Sequence, residues 1–175
     1  MKFIDVMISK EMIKEAKNSV EKVKVNRTVA SPIDTIVGLI GEFAFAEWFY
    51  GNWKEHDHLN TKGQIDFINQ IEVKTSAYPF RENLNLLVRE DYAKKRKPNC
   101  YVQTIINTPR PYVNDILPGW ICRLSGWASH KELIDAPIKD FGAKGGGRGG
   151  YRCFYIPIYK LNSMDSLPIQ SPRDK

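Results

Sequence analysis

The amino-acid sequence predicts an α/β fold, with a central mixed β-sheet flanked by helices and β-rich C-terminal additions. Three observations predict it. Two helix-period segments open the chain, a pair of short period-two segments follows near residues 64–76, and the order helix, strand pair, helix, strand is that of one mixed sheet. No repeats and no composition shift divide the 175 residues, so residues 1–175 read as a single domain, with room for a sizeable core.

In the first segment, Ser9 to Val23, Met12 or Ile13, Ala16, Val20 and Val23 recur at helical spacing while Lys10, Lys14, Lys17 and Lys22 face away, the pattern of a surface helix. After the polar break Asn26-Arg27-Thr28 a second helix begins. Ser31 can cap it, Pro32 suits its first position and Asp34 lies three residues after the cap. From Ile33 to Phe49 it is apolar almost all round, as a helix buried on more than one side must be, yet it carries Glu42 and Glu47. Gly51-Asn52 ends it, and a polar segment from Trp53 to Gly63 follows.

Two strands are expected next, Gln64–Ile68 and Ile71–Ser76. In the second, Ile71, Val73 and Thr75 alternate with Glu72, Lys74 and Ser76. Residues 89–97 suggest a short basic helix, Cys100–Ile106 a strand, and Gly119–Leu124 and Tyr151–Ile158 further strands.

Composition narrows the function classes. No apolar run approaches the roughly 20 residues that cross a bilayer, and the Met1-Lys2-Phe3-Ile4-Asp5 start lacks a signal-peptide stretch, so a cytoplasmic protein without membrane contact is expected. Cys100, Cys122 and Cys153 are odd in number and widely spaced, which argues against a disulfide framework and a zinc ribbon and for reduced structural thiols. The net charge of +6 fits a polyanionic partner if it clusters near phosphate chemistry.

The informative stretch is Gln64-Ile-Asp-Phe-Ile-Asn-Gln-Ile-Glu-Val-Lys-Thr-Ser76. Glu72 and Lys74, two apart on a strand, point to one face. Asp66 joins them on that face only if the turn before Ile71 is three-residue or bulged. A strict two-residue turn at Asn69-Gln70 would pair Asp66 with Val73 and separate the acids. Two carboxylates on one face repel and call for a cation, and hard oxygen ligands suit Mg²⁺ or Mn²⁺. Such an ion polarises a phosphoryl oxygen and lowers the pKa of water. Lys74 would orient or help deprotonate that water, or offset charge developing on phosphate. Glu42, an acid in a helix with little solvent-facing surface, is a natural fourth member, since a buried acid is costly unless paired or metal-bound.

Ile65-Asp66, a short spacer and Ile71-Glu72-Val73-Lys74-Thr75-Ser76 resemble the signature of the PD-(D/E)XK (restriction-endonuclease-like) nuclease superfamily. Gly41-Glu42-Phe43-Ala44 resembles the glutamate-bearing first helix common there. The resemblance covers residues 31–106, leaving 119–175 as a C-terminal elaboration, and departs at Ile65, where the superfamily name has proline. It implies a restriction-endonuclease-like core in which Asp66 and Glu72 bind the metal, Lys74 is the catalytic lysine and Glu42 assists at the metal. The expected activity is Mg²⁺-dependent (or Mn²⁺-dependent) hydrolysis of DNA phosphodiester bonds by an endonuclease of restriction, junction-resolving or mobile-element type. Sequence-specific duplex cutting would favour a homodimer setting two sites across two strands. The alternative is a nucleic-acid-binding module that keeps the fold without cutting.

Lys94, Lys95, Arg96 and Lys97 form the densest basic cluster. They read equally as a DNA contact and as a solvated helix end. Lys144 and Arg148, in the Gly-rich loop 142–150, are candidates for the phosphate backbone, beside the plainer reading of a flexible connection. Gly145–Gly150 fits G-x-G-x-x-G, but a strand follows it rather than a helix, and there is no P-loop, so no nucleotide cofactor is expected. His56 and His58 lack partner ligands at zinc spacing and read as a solvated loop. Gln103 reads as an ordinary strand polar residue, and Trp120, Trp127, Tyr151 and Tyr155 as core.

Overall fold

A computed structural model describes residues 3–23, 31–59, 63–141 and 151–175. The chain is mixed α/β. Strands β1 (Ile4–Met7), β2 (Ile71–Tyr78), β4 (Cys100–Asn107) and β5 (Ile121–Ser129) form a sheet in the order β1-β5-β4-β2. The pair β2–β4 is parallel and the other two pairs are antiparallel, so the sheet is mixed as the sequence predicts. Helices α1 (Lys10–Val23) and α2 (Pro32–Tyr50) cover one face. The other face meets a small antiparallel sheet, β3-β7-β6, made of Asn85–Arg89, Arg152–Pro157 and Ile138–Asp140. Short helices α3 (Glu90–Lys95) and α4 (His130–Ile134) complete the fold.

Local chemistry sets these boundaries. Ser31 caps α2, its hydroxyl accepting from Asp34 N, Pro32 stands in the first turn, and Gly51 takes the left-handed conformation that ends the helix (φ 78°). Alternation on β2 and β4 divides the interior in two. Ile71, Val73, Cys100 and Val102 pack under α2 with Phe43, Phe45 and Phe49, whereas Tyr101 and Ile105 pack against Leu86, Val88 and Phe154 of the small sheet. Gln103 is fully buried between them, its amide donating to Thr104 O. The three cysteines are buried and unpaired, and burial pushes the thiols of Cys100 and Cys122 up to about 12, in keeping with structural roles.

Helix α2 rests on the sheet at Gly41. A Cβ there would collide with Thr75 Oγ1 and lie 2.7 Å from Thr104 Oγ1, atoms already joined by a 2.9 Å hydrogen bond. Gly41→Ala is therefore expected to lift α2 from β2 at a cost of about 1–3 kcal/mol, read from urea unfolding midpoints.

Several sequence expectations are corrected. Gln64–Ile68 is not a strand. It is a succession of turns with a single antiparallel bridge, Phe67 to Ile71, because Ile68 and Asn69 adopt positive φ (43° and 57°) and no further ladder forms. The basic helix is shorter, Glu90–Lys95, since β3 takes the chain up to Arg89, and β5 runs past Leu124 to Ser129. Strands β1, β3 and β6 were not expected. The Gly-rich loop with Lys144 and Arg148, and the break at Asn26-Arg27-Thr28, lie outside the described residues. No helix among the described residues is long and apolar enough to cross a membrane.

Candidate active site

Glu72 and Lys74 on β2, the edge strand of its sheet, lie within electrostatic reach of Asp66 and Glu42. The bridge between Phe67 and Ile71 closes a three-residue turn, Ile68-Asn69-Gln70, locked by Phe67 N to Ile71 O (3.0 Å) and Ile71 N to Phe67 O (3.1 Å). This is the odd-numbered turn that the shared-face condition requires, and Asp66, one residue before the bridge, is close enough to Glu72 to feel its charge. The Asp66 carboxylate accepts from Val73 N at 2.8 Å, taking up a backbone donor that the edge strand would otherwise leave unpaired.

Glu72 is 5% exposed. Its Oε1 accepts from Lys74 Nζ at 2.7 Å and lies 3.7 Å from Arg96 Nη1, whereas its Oε2 is buried without any hydrogen-bond partner. An orphaned buried carboxylate oxygen is expensive. Glu42 reaches the same edge from α2. Burial first, then the Glu72 charge, raises it from its ordinary 4.5 to about 8, against the opposing pull of Lys74. Asp66 is likewise pushed well up, by burial and then by Glu42 and Glu72. The acids thus feel one another strongly.

Each acid is nonetheless engaged by a donor of the protein itself: Glu42 by His56, Asp66 by Val73 N and Glu72 by Lys74. As they stand, no three His, Cys, Asp or Glu side chains among the described residues converge into a ready cation cage. The fit to a metal rests instead on the donor chemistry, hard oxygens only, and on the free Glu72 Oε2.

His56 departs from its sequence reading. It is buried rather than solvated, its Nε2 is 2.8 Å from Glu42 Oε2, and its ring stacks on Phe67 at 4.1 Å. It therefore ties the helix acid to the turn that carries Asp66. Burial lowers its pKa to about 4, so the imidazole is neutral at pH 7. His58 is also held inside, 2.8 Å from Ser19 Oγ. His56→Ala is expected to cost about 1–3 kcal/mol, with His56→Gln recovering part through its amide, as measured by urea unfolding. The sequence signal was only the Glu-His-Asp-His run after α2, and the burial of His56 depends on remote packing. Glu47 is engaged elsewhere, accepting from Trp53 N at 2.9 Å.

Of the basic cluster, the structure brings only Arg96 to the acids. Lys94 pairs with Glu90 at 3.1 Å on the surface, and Lys95 and Lys97 are exposed. Tyr101, the register partner of Glu72, was not singled out in the sequence. Burial and then the Glu72 charge push its hydroxyl up, and it meets His130 Nδ1 at 3.1 Å.

No known family model, curated protein or solved structure matches the chain.

Proposed function

We propose that the protein is a metal-dependent nuclease with a restriction-endonuclease-like core, hydrolysing phosphodiester bonds in DNA. The observation that supports this reading is the three-residue turn just after Asp66, with Lys74 on Glu72 and the charges of Glu42, Asp66 and Glu72 felt by one another. Asp66 and Glu72 would hold Mg²⁺ or Mn²⁺ with Glu42 assisting, and such an ion supplies a water of lowered pKa and positive charge against phosphoryl oxygens. Lys74, whose Nζ lies 2.7 Å from Glu72 Oε1, would as the ammonium orient that water or offset charge developing on phosphate, and only as the neutral amine could it accept the proton of the water. Arg96 adds a second cation beside Glu72. His56 holds Glu42 in place, a role suited to its neutral ring.

A second reading, a nucleic-acid-binding module that does not cut, draws support from the way His56, Val73 N and Lys74 each already engage one oxygen of the three acids. One experiment separates the two. The protein is incubated with supercoiled plasmid, linear duplex, single strands and a four-way junction, in EDTA, Mg²⁺ or Mn²⁺. The nuclease reading expects cutting only with metal. Salt-sensitive binding with no cutting in either metal would favour the second.

A further inference from the structure

Two sheet edges flank one groove further along β2 from Glu72 and Lys74. Strand β2 is the edge of the main sheet and β3 the edge of the small one, and the two lie in contact. The ladder between β2 and β4 runs without a register shift from Ile71 to Tyr78, so Glu72, Lys74, Ser76 and Tyr78 share a face. At Ser76 and Tyr78 that face opens into a groove of about 340 Å³, lined also by Arg81, Asn83, Asn85 and Leu87. Its volume is at the lower end for sites that take small organic groups, roughly 300–1000 Å³. It begins about 7 Å along the strand from Lys74, a distance one nucleotide spans.

The lining suits a nucleotide in particular. Arg81 is exposed and lies 5.7 Å from the Tyr78 ring, and no carboxylate among the described residues pairs with it. A cation without a carboxylate beside a phenol ring offers a phosphate contact next to a stacking platform. Asn83 and Asn85 add amide donors and acceptors, and Leu87 adds an apolar wall. Duplex bases stack on one another and cannot reach Tyr78, whereas an unpaired base can.

We propose that this groove seats one unpaired nucleic-acid strand next to the bond to be cut, with a base on Tyr78 and a phosphate on Arg81. The inference rests on the nuclease reading for the placement of the cut, and it narrows the substrate class to nucleic acid with a single-stranded segment.

The test uses fluorescence anisotropy with a labelled oligothymidylate, and a blunt duplex as comparison, in EDTA so that binding is read without cutting. Arg81→Gln is expected to weaken oligothymidylate binding by about 10-fold and to reduce the salt slope by about one phosphate. Tyr78→Leu is expected to weaken it by about 10-fold with the slope unchanged. Duplex binding should be unaffected by either. Arg81 is exposed, so Arg81→Gln keeps the test decisive even if Tyr78→Leu unfolds. Wild-type affinity in a folded Arg81→Gln protein, an equal loss on duplex, or no binding of the oligonucleotide by wild type would each overturn the proposal. Metal-dependent cutting by the wild type, measured alongside, separates the two ideas. If cutting is present and Arg81→Gln has no effect, the groove falls and the nuclease stands. If the Arg81 and Tyr78 effects appear but no metal supports cutting, the groove stands and the nuclease falls.

Discussion

Replacing Lys74 with alanine is expected to lower metal-supported cleavage by about 10³-fold under single-turnover conditions. The lysine projects from a rigid strand, its Nζ 2.7 Å from Glu72 Oε1, and the nearest further cation on that carboxylate is Arg96 at 3.7 Å. Arg96 is too far round the acid to take over a proton-handling role, and an arginine does not give up a proton near neutrality. Lys74→Arg should therefore remain severely impaired. Lys94→Ala supplies the contrast. Lys94 is exposed and paired with Glu90, and its loss should leave cleavage close to wild type. Retained cleavage in a pure Lys74→Ala protein would remove Lys74 from the chemistry.

The second large effect is on stability. Glu42 is raised from 4.5 to about 8, and Asp66 is raised in the same direction. The folded protein therefore keeps protons that the unfolded chain has lost. The stability these acids contribute is complete below their unfolded pKa values near 4 and is lost as pH rises through about 8. His56 acts oppositely. With its pKa lowered from 6.5 to about 4, its contribution is present above 6.5 and is lost as pH falls towards 4. The two oppose each other below pH 6.5, and above it the acids act alone. Without metal, the melting temperature should fall between pH 6.5 and 8.5. A divalent ion bound as proposed would replace the protons that hold the acids together, so its stabilising effect should grow over the same interval. At one hundred times its dissociation constant, an ion adds about 2.7 kcal/mol, or roughly 5–10 °C for a chain of this size. Differential scanning fluorimetry in EDTA and in Mn²⁺ reads both. A melting temperature indifferent to Mn²⁺ at pH 8 would count against a cation site.

The elements that carry these residues could be read from the chain because their signals are local. Ser31, Pro32 and Gly51 mark the ends of α2 by their own backbone chemistry, and the period-two alternation of Ile71–Ser76 marks β2. The requirement for an odd-numbered turn came from strand geometry alone, and Ile68-Asn69-Gln70 meets it. What the sequence could not convey depends on remote packing. Gln64–Ile68 alternates like a strand, but two positive-φ residues end its pairing after one bridge. The run Asn85-Leu86-Leu87-Val88-Arg89 is too short to reveal its period, and it becomes a strand because β7, more than sixty residues later, pairs with it. His56 looks like a loop residue until Glu42 and Phe67 close over it. Arg96 looks like its lysine neighbours until α3 folds it back on Glu72.

The claim on which the rest depends is that Asp66 and Glu72, with Glu42, share one divalent ion. Calorimetric titration of Mn²⁺ into the wild-type protein at pH 7.5, beside Asp66→Asn and Glu72→Gln, tests it most directly. One ion per chain is expected for wild type, with at least about 10-fold weaker binding in both variants, each of which loses a charged oxygen ligand. Equal Mn²⁺ affinity in all three proteins, or no binding by the wild type, would contradict it.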